Sequence, residues 1–228
     1  MQVIEKKQEE ERFWFTSVEQ ASRVAPAFVA RYRLAAAHVA NKTVCDIACG
    51  AGYGSFFLSQ SARHVTGMDA SEEAVAWASS HFQGPNLQYV HVKGDEPWPV
   101  DTQFDVVTSF ETLEHTHSPK MFLQNITDHL SAEGTLVMSI PNGPKDRLRN
   151  NPYHLHYFTQ DDFAALLKPW FSSMEFFSEA YVRDLRHYLT KPLRKLRKAD
   201  SHRVDNYVFE AGLKEDAKRW LAIAIRNR

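Results

Sequence analysis

An α/β fold built on a doubly wound, seven-stranded and mostly parallel sheet is predicted by three features of the sequence. Short β-branched apolar runs alternate with segments of helical period. The first such run, Val44-Cys45-Asp46-Ile47, stops at a turn with three alternating glycines, Gly50, Gly52 and Gly54. Acidic residues stand at or just beyond the ends of three successive runs: Asp46, Asp69 and Asp95. Sheets of this class bind ligands at the carboxyl ends of their strands, where these residues fall.

The elements follow in order. Glu5 to Arg12 reads as a solvated lead-in, and Ala27 to Ala40 as a helix whose Phe28, Tyr32, Ala35 and Val39 recur near the helical period. A strand, the glycine turn and a helix to about Arg63 come next. His64 to Asp69 is a second strand, and Ser71 with Glu72 and Glu73 caps the following helix. Leu87 to Val92 alternates as a third strand, followed by loop at Pro97-Trp98-Pro99, and Phe104 to Ser109 is a fourth. Ser118-Pro119 opens a helix to Leu130, with Gly134 marking its end, and Leu136 to Ile140 is a fifth strand. The polar stretch from Pro144 to Tyr153 is a connection of the kind that covers sites. Thr159 and Asp162 form a capping box for a helix through Leu167. Met174 to Tyr181 and Tyr207 to Leu213 are the sixth and seventh strands. The organisation is thus an N-terminal helical cap over 1–40, a main domain over 41–214 with a basic insertion at 183–203, and a C-terminal helix over 215–228.

Composition narrows the function. Lys and Arg number 27 against 28 Asp and Glu, a net charge of -1, so the molecule as a whole does not advertise nucleic acid as a partner. The first twelve residues lack the apolar core of a secretory signal, and no run of about 18 apolar residues exists to span a membrane, so a cytoplasmic location is expected. Cys45 and Cys49, the two cysteines, read as small buried residues of a reducing compartment. Between Arg183 and Arg203, eight basic side chains face only Asp184 and Asp200, a local excess of six positive charges. Such a run is either a solvated helix face or a surface for an anionic acceptor, including a lipid-linked one reached by peripheral membrane contact.

A glycine turn after the first strand serves two cofactor classes. A dinucleotide site asks for G-x-G-x-x-G, and here Ser55 stands where the third glycine belongs. Asp46, four residues before Gly50, would meet a pyrophosphate badly and suits a ligand carrying an amino group. An NAD(P)-dependent oxidoreductase is therefore the second reading rather than the first.

From about Arg31 to Leu213 the chain resembles the class I S-adenosylmethionine-dependent methyltransferases with their Rossmann-like fold. Val44 to Gly54 is similar to the family's first motif, Phe104 to His115 to the fourth-strand motif of the small-molecule subgroup that includes the ubiquinone methyltransferases, and Leu130 to Asn142 to the motif after it. Arg31-Tyr32 and Asn151-Pro152-Tyr153-His154 bring it nearer to members associated with glycans and natural products. The resemblance implies S-adenosylmethionine as cofactor and S-adenosylhomocysteine as product. It implies that Asp46, Gly50 and Gly52 surround the methionine moiety, that Asp69 takes the ribose hydroxyls, that Asp95 meets the adenine amino group, and that Tyr53, Ala70 and Phe110 also bind cofactor. Cys45 in place of leucine, and Thr127-Asp128-His129 in place of an Arg-Val dipeptide, depart from the commonest form.

Methyl transfer from a sulfonium needs in-line attack, and a hydroxyl acceptor needs a base. His115 or His154 is the expected base, against the plainer reading that both only brace the loop with Tyr153 and Tyr157. His115-Thr116-His117 and His154-Leu155-His156 lack a fixed metal spacing, so no metal is expected. An Asn-Pro-Pro-aromatic signature after the fourth strand is absent, which disfavours methylation of nucleic-acid bases. A small-molecule acceptor, with a hydroxyl of a sugar, glycolipid or natural product foremost, is the expected substrate. A non-catalytic S-adenosylmethionine-binding regulator is the alternative outside enzymes.

Overall fold

The computed structural model describes residues 13–147, 151–182 and 203–227. Two helices, α1 (Val18–Val24) and α2 (Pro26–Ala36), precede the sheet. Then come β1 (Thr43–Ile47), α3 (Tyr53–Ser59), β2 (His64–Asp69), α4 (Glu72–His81), β3 (Leu87–His91) and β4 (Phe104–Phe110). A 3₁₀ turn, Leu113–His115, leads to α5 (Pro119–His129), β5 (Leu130–Pro141), α6 (Gly143–Arg147) and α7 (Gln160–Leu167). The chain closes with β6 (Phe171–Tyr181), β7 (Tyr207–Ala211) and β8 (Arg219–Arg226). Ser71, Ser118 and Thr159 cap α4, α5 and α7 through their hydroxyls, and Thr159 with Asp162 makes the reciprocal capping box.

The sheet runs β3-β2-β1-β4-β5-β8-β6-β7. β1 to β5 pair in parallel, whereas β8 lies antiparallel to both β5 and β6, and β7 antiparallel to β6. Alternation along the strands divides the core. Cys45, Ile47, Val107, Leu136, Met138 and Ile140 pack on one face with Phe122, Ile126 and Phe163 from α5 and α7. Val44, Val65, Val106 and Val137 pack on the other with Val29, Tyr32 and Leu58 from α2 and α3. Helices on both faces make it the doubly wound class expected.

Two expectations are corrected. The sheet has eight strands rather than seven, and the C-terminal segment expected as a helix over 215–228 is strand β8. Trp220, Leu221, Ala222 and Ala224 are all buried, so the run is nearly continuous in its apolar character. Such a run does not distinguish a buried strand from a buried helix by period, and its alanines favour helix locally. Pairing on both edges decides the outcome, since a strand between β5 and β6 satisfies backbone groups that either sheet edge would otherwise leave open. β5 also begins earlier than expected, because residues 131–134 bulge out between the Phe104–Leu130 and Val106–Thr135 pairings. The expected lead-in at Glu5 to Arg12 and most of the basic insertion, 183–202, lie outside the described residues. Among the described residues no helix is long and apolar enough to cross a membrane.

Candidate active site

The carboxyl end of β1 turns sharply. Ala48, Gly50 and Gly52 have φ of +60°, +56° and +85°, and Gly52 is the N-cap of α3. An alanine in the left-handed region costs about 1–2 kcal/mol, so surrounding structure must hold it there. A Cβ on Gly52 would come within 2.5 Å of the Ala78 side chain and 2.9 Å of the Tyr89 hydroxyl. That hydroxyl donates to the Gly52 carbonyl at 3.0 Å, locking the turn against β3. A Cβ on Gly50 would meet nothing within 4 Å, so this part of the turn faces open space. Packing therefore explains one glycine, and room beside the backbone distinguishes the other.

The carboxylates expected around the turn occupy different positions. Asp69 accepts the Gly50 N–H at 2.8 Å with one oxygen and the Ser71 N–H at 3.0 Å with the other, which ties the end of β2 to the turn. Ala70 beside it is exposed, and its carbonyl lies 3.0 Å from Nε2 of His91. Asp95 accepts the His117 N–H at 3.0 Å, linking the loop after β3 to the segment after β4. Asp46 is 1% exposed and faces no open ligand space. Its oxygens accept hydrogen bonds from Ser55 and Thr108 at 2.7 Å each and from Tyr32 at 3.1 Å. Burial pushes its carboxyl up to about 6, against the three hydroxyls, which favour the ionised form. Tyr32 in turn packs edge-on against both Tyr53 and Phe110, so these two residues form an aromatic wall shared by the turn and the end of β4.

A second cluster lies past the end of β4. Arg31 on α2 is fully buried; its Nε donates to Glu179 at 2.8 Å, while one Nη sits 3.7 Å from Glu111. Neither Nη atom has a hydrogen-bond partner. Arg219, at the start of β8, bonds Glu111 at 2.5 Å and reaches Glu179 at 3.5 Å. Glu111 also accepts from Ser139 at 3.0 Å and has φ of +53°. Burial would raise its carboxyl, but the Arg219 and Arg31 guanidiniums outweigh that and hold it well below the usual range. Glu114, fully buried with neither oxygen hydrogen-bonded, is driven the other way by burial and by the negative Glu111. The fourth-strand motif drew attention to Glu111 and Glu114 only by resemblance. Glu179 and Arg219 carried no signal in the sequence, because their partners are 148 and 108 residues away.

The expected bases do come together. The rings of His115 and His154 meet edge to face with centroids 4.6 Å apart. Nδ1 of His115 lies 3.1 Å from the Tyr153 carbonyl, and burial, followed by His154, lowers its pKa below the ordinary histidine value. Nδ1 of His154 forms a short hydrogen bond to the Asp146 carboxylate on α6. The loop is pinned from below as well, since the N–H groups of Leu155 and His156 both donate to the Glu114 carbonyl, at 2.8 and 3.2 Å. Asp146 carries no signal in the sequence, because a residue eight positions from a histidine across a polar loop has no periodic signature.

Comparison with known proteins identifies the family. The profile of a family described as "Methyltransferase domain" matches residues 18–169. A Mycobacterium tuberculosis protein named "Probable S-adenosylmethionine-dependent methyltransferase" is 29% identical over 163 residues, 69% of this chain and 54% of its own length. The mitochondrial ubiquinone biosynthesis O-methyltransferase of Schizosaccharomyces pombe is 35% identical over 105 residues, 43% of this chain and 37% of its own. The chain thus spans about half the length of the mycobacterial relative. Among solved structures, the N-methyltransferase NodS of Bradyrhizobium japonicum superposes with a TM-score of 0.61 at 15% identity, covering 88% of this chain and 85% of NodS. An S-adenosylmethionine-dependent methyltransferase of Mesorhizobium loti gives 0.64 at 16% identity, covering 89% and 99%. These superpositions speak for the fold, and the family profile covers well over half of the sequence. The chain belongs to the S-adenosylmethionine-dependent methyltransferases of class I, with S-adenosylmethionine as the cofactor.

Proposed function

We propose that this chain methylates a hydroxyl group of a small molecule, in the class of sugars, glycolipids or natural products, with His154 as the base. The observation that carries the reading is the Asp146–His154 pair. A carboxylate bonded to Nδ1 fixes the tautomer that leaves Nε2 as acceptor, and stabilises the imidazolium formed when a proton arrives. The O-methyltransferase named among the relatives supports oxygen as the target.

Bound S-adenosylmethionine supplies a methyl group made electrophilic by its sulfonium. The residues fit such a ligand. Gly50 leaves room beside the turn, and Gly52 sets its bend. In this reading Asp69 takes the ribose hydroxyls and Asp95 the adenine amino group, with Ala70 beside the ribose. Asp46 acts through Tyr32, Ser55 and Thr108, and shapes the floor under Tyr53 and Phe110. The two Nη atoms of Arg31, neither of them hydrogen-bonded, offer a fork for the methionine carboxylate. Burial pushes the Tyr53 hydroxyl well up, and the Arg31 guanidinium offsets only part of that.

As the acceptor hydroxyl takes the methyl group that the sulfonium would supply, with the sulfide as leaving group, Nε2 of His154 would accept the hydroxyl proton. The basic stretch 183–203 supports an acceptor that carries phosphate or sits on a lipid. The test is a panel of hydroxylated sugars, glycolipids and quinols with methyl-labelled donor, run with wild type, His154→Ala and His154→Gln. The reading expects label as an ether on oxygen and a kcat lower by about 10²–10⁴-fold in His154→Ala. Label on nitrogen or carbon, or unchanged turnover in both variants, contradicts it.

A further inference from the structure

Residues 92–103, between β3 and β4, lie in neither helix nor strand, so the place of Asp95 must be set from outside its own loop. Helix α5 does this. Phe122, Asn125 and His129 follow one another along α5 at spacings of three and four, so they share one face, and all three meet the loop. A Cβ on Gly94 would come within 2.5 Å of the Phe122 ring, which means that the backbone of the loop lies directly on the helix. The Asn125 side chain is 6% exposed. Its Nδ2 donates to the Gly94 carbonyl at 2.9 Å and to the Glu96 carbonyl at 2.7 Å. One turn further along, Nε2 of His129 lies 3.1 Å from the Val100 carbonyl, and Trp98 adds a donor from the loop itself, Nε1 to the Gly94 carbonyl at 3.2 Å.

The two carbonyls that Asn125 takes belong to the chain neighbours of Asp95. Carbonyl oxygens only accept, so the amide must turn its NH₂ group toward them and spend one hydrogen on each. With the peptide groups on both sides fixed, the direction in which the Asp95 side chain leaves the backbone is fixed as well. Its carboxylate is half committed. Oδ2 accepts the His117 N–H at 3.0 Å, and Oδ1 has no hydrogen bond among the described residues. We propose that Asn125 is a positioning residue for cofactor recognition: by clamping both neighbours of Asp95 it aims the second carboxylate oxygen at the adenine amino group. The clamp thereby sets the preference of the site for adenine over a purine that lacks this group. It rests on the reading in which Asp95 meets that amino group. An asparagine that only closed the loop would affect stability and every ligand alike, whereas the clamp acts on recognition of one group of the base.

The experiment compares, by calorimetry on the full chain, S-adenosylhomocysteine with its desamino analogue, in which hydrogen replaces the amino group of the adenine. Wild type, Asp95→Ala, Asn125→Leu and the double variant are titrated with both ligands, and melting curves check that each is folded. A hydrogen bond to a charged group predicts that wild type prefers S-adenosylhomocysteine by about 10- to 100-fold. Asp95→Ala should bring the two affinities within about twofold. Asn125→Leu should lower the preference at least threefold, and in the double variant it should add nothing to the loss already caused by Asp95→Ala. Asn125→Ser, which keeps a single donor, should fall between wild type and Asn125→Leu, and is read in its place if Asn125→Leu does not fold. Both ligands weakened equally in the Asn125 variants, with the preference intact, overturns the clamp and leaves the role of Asp95 standing. No preference in wild type, or a preference that survives Asp95→Ala, overturns both.

Discussion

The two ends of the candidate site hold their carboxylates by opposite means. Around the glycine turn, Asp46 is caged by three neutral hydroxyls and Asp69 by two backbone N–H groups. Past β4, Glu111 and Glu179 are held by two guanidiniums brought from α2 and β8. Neutral donors orient a carboxylate without a second buried charge, even though they come from α2, α3 and β4. A buried ion network must balance to stay folded, and it leaves the Arg31 Nη atoms and the Glu114 oxygens without hydrogen-bond partners. The first arrangement holds its carboxylates fixed; the second keeps buried polar groups that a bound ligand can engage.

The sharpest way to break this contrast is to remove Arg31. Arg31→Met leaves Glu179 and Glu111 short of a counter-charge, and loss of one partner of a buried pair costs about 3–5 kcal/mol. Urea denaturation should show that loss, and the remaining folded protein should bind S-adenosylhomocysteine poorly. A loss under about 1 kcal/mol would mean that Arg219 alone balances the network.

The hydroxyl cage makes a different prediction, in pH. Asp46 has a folded pKa of about 6 against an ordinary 3.8. Between those values the folded state binds the extra proton, so this group contributes stability at acid pH that falls as pH rises from about 4 to 6. Two units correspond to roughly 3 kcal/mol. Melting curves of wild type and Asp46→Asn across that window should therefore shift in the variant's favour as pH rises. A constant difference would show that the cage leaves the Asp46 pKa near its ordinary value.

Gly54→Ala probes packing under the same cage. A Cβ there would stand 1.9 Å from the Tyr32 ring, whose hydroxyl serves Asp46. Overpacking of this kind costs about 1–3 kcal/mol, measurable as a fall in melting temperature. The smallest effect is expected from replacing Arg194, Lys195, Arg197 and Lys198 by Gln. That change should leave stability within about 0.5 kcal/mol while raising KM for an anionic acceptor or releasing the protein from anionic vesicles; no change in either removes the basic stretch from acceptor binding.

The same division explains what could be read from the sequence. The glycine turn and the caps at Ser71, Ser118 and Thr159 are displayed directly by residue order, and so is the place of Asp46, Asp69 and Asp95 at or near strand ends, although their partners Thr108, Gly50 and His117 lie 62, 19 and 22 residues away. β8 was hidden because its apolar run has no diagnostic period, and its identity as a strand comes from β5 and β6. Arg31, Glu179 and Arg219 meet only after the sheet is complete. Glu114, His115 and His154 were visible singly, yet their convergence depends on Asp146 and on the loop N–H groups that bind the Glu114 carbonyl.

The central claim is that cofactor binding rests on the glycine turn together with the Arg31 fork, and acceptor chemistry on His154 past β4. Calorimetry with S-adenosylhomocysteine on Asp69→Ala and His154→Ala tests it most directly. Hydrogen bonds to a charged group contribute about 1.5–3 kcal/mol, so Asp69→Ala should bind about 10- to 100-fold more weakly, whereas His154→Ala should stay within about twofold of wild type. Equal losses in both variants, or wild-type affinity in Asp69→Ala, would contradict the division.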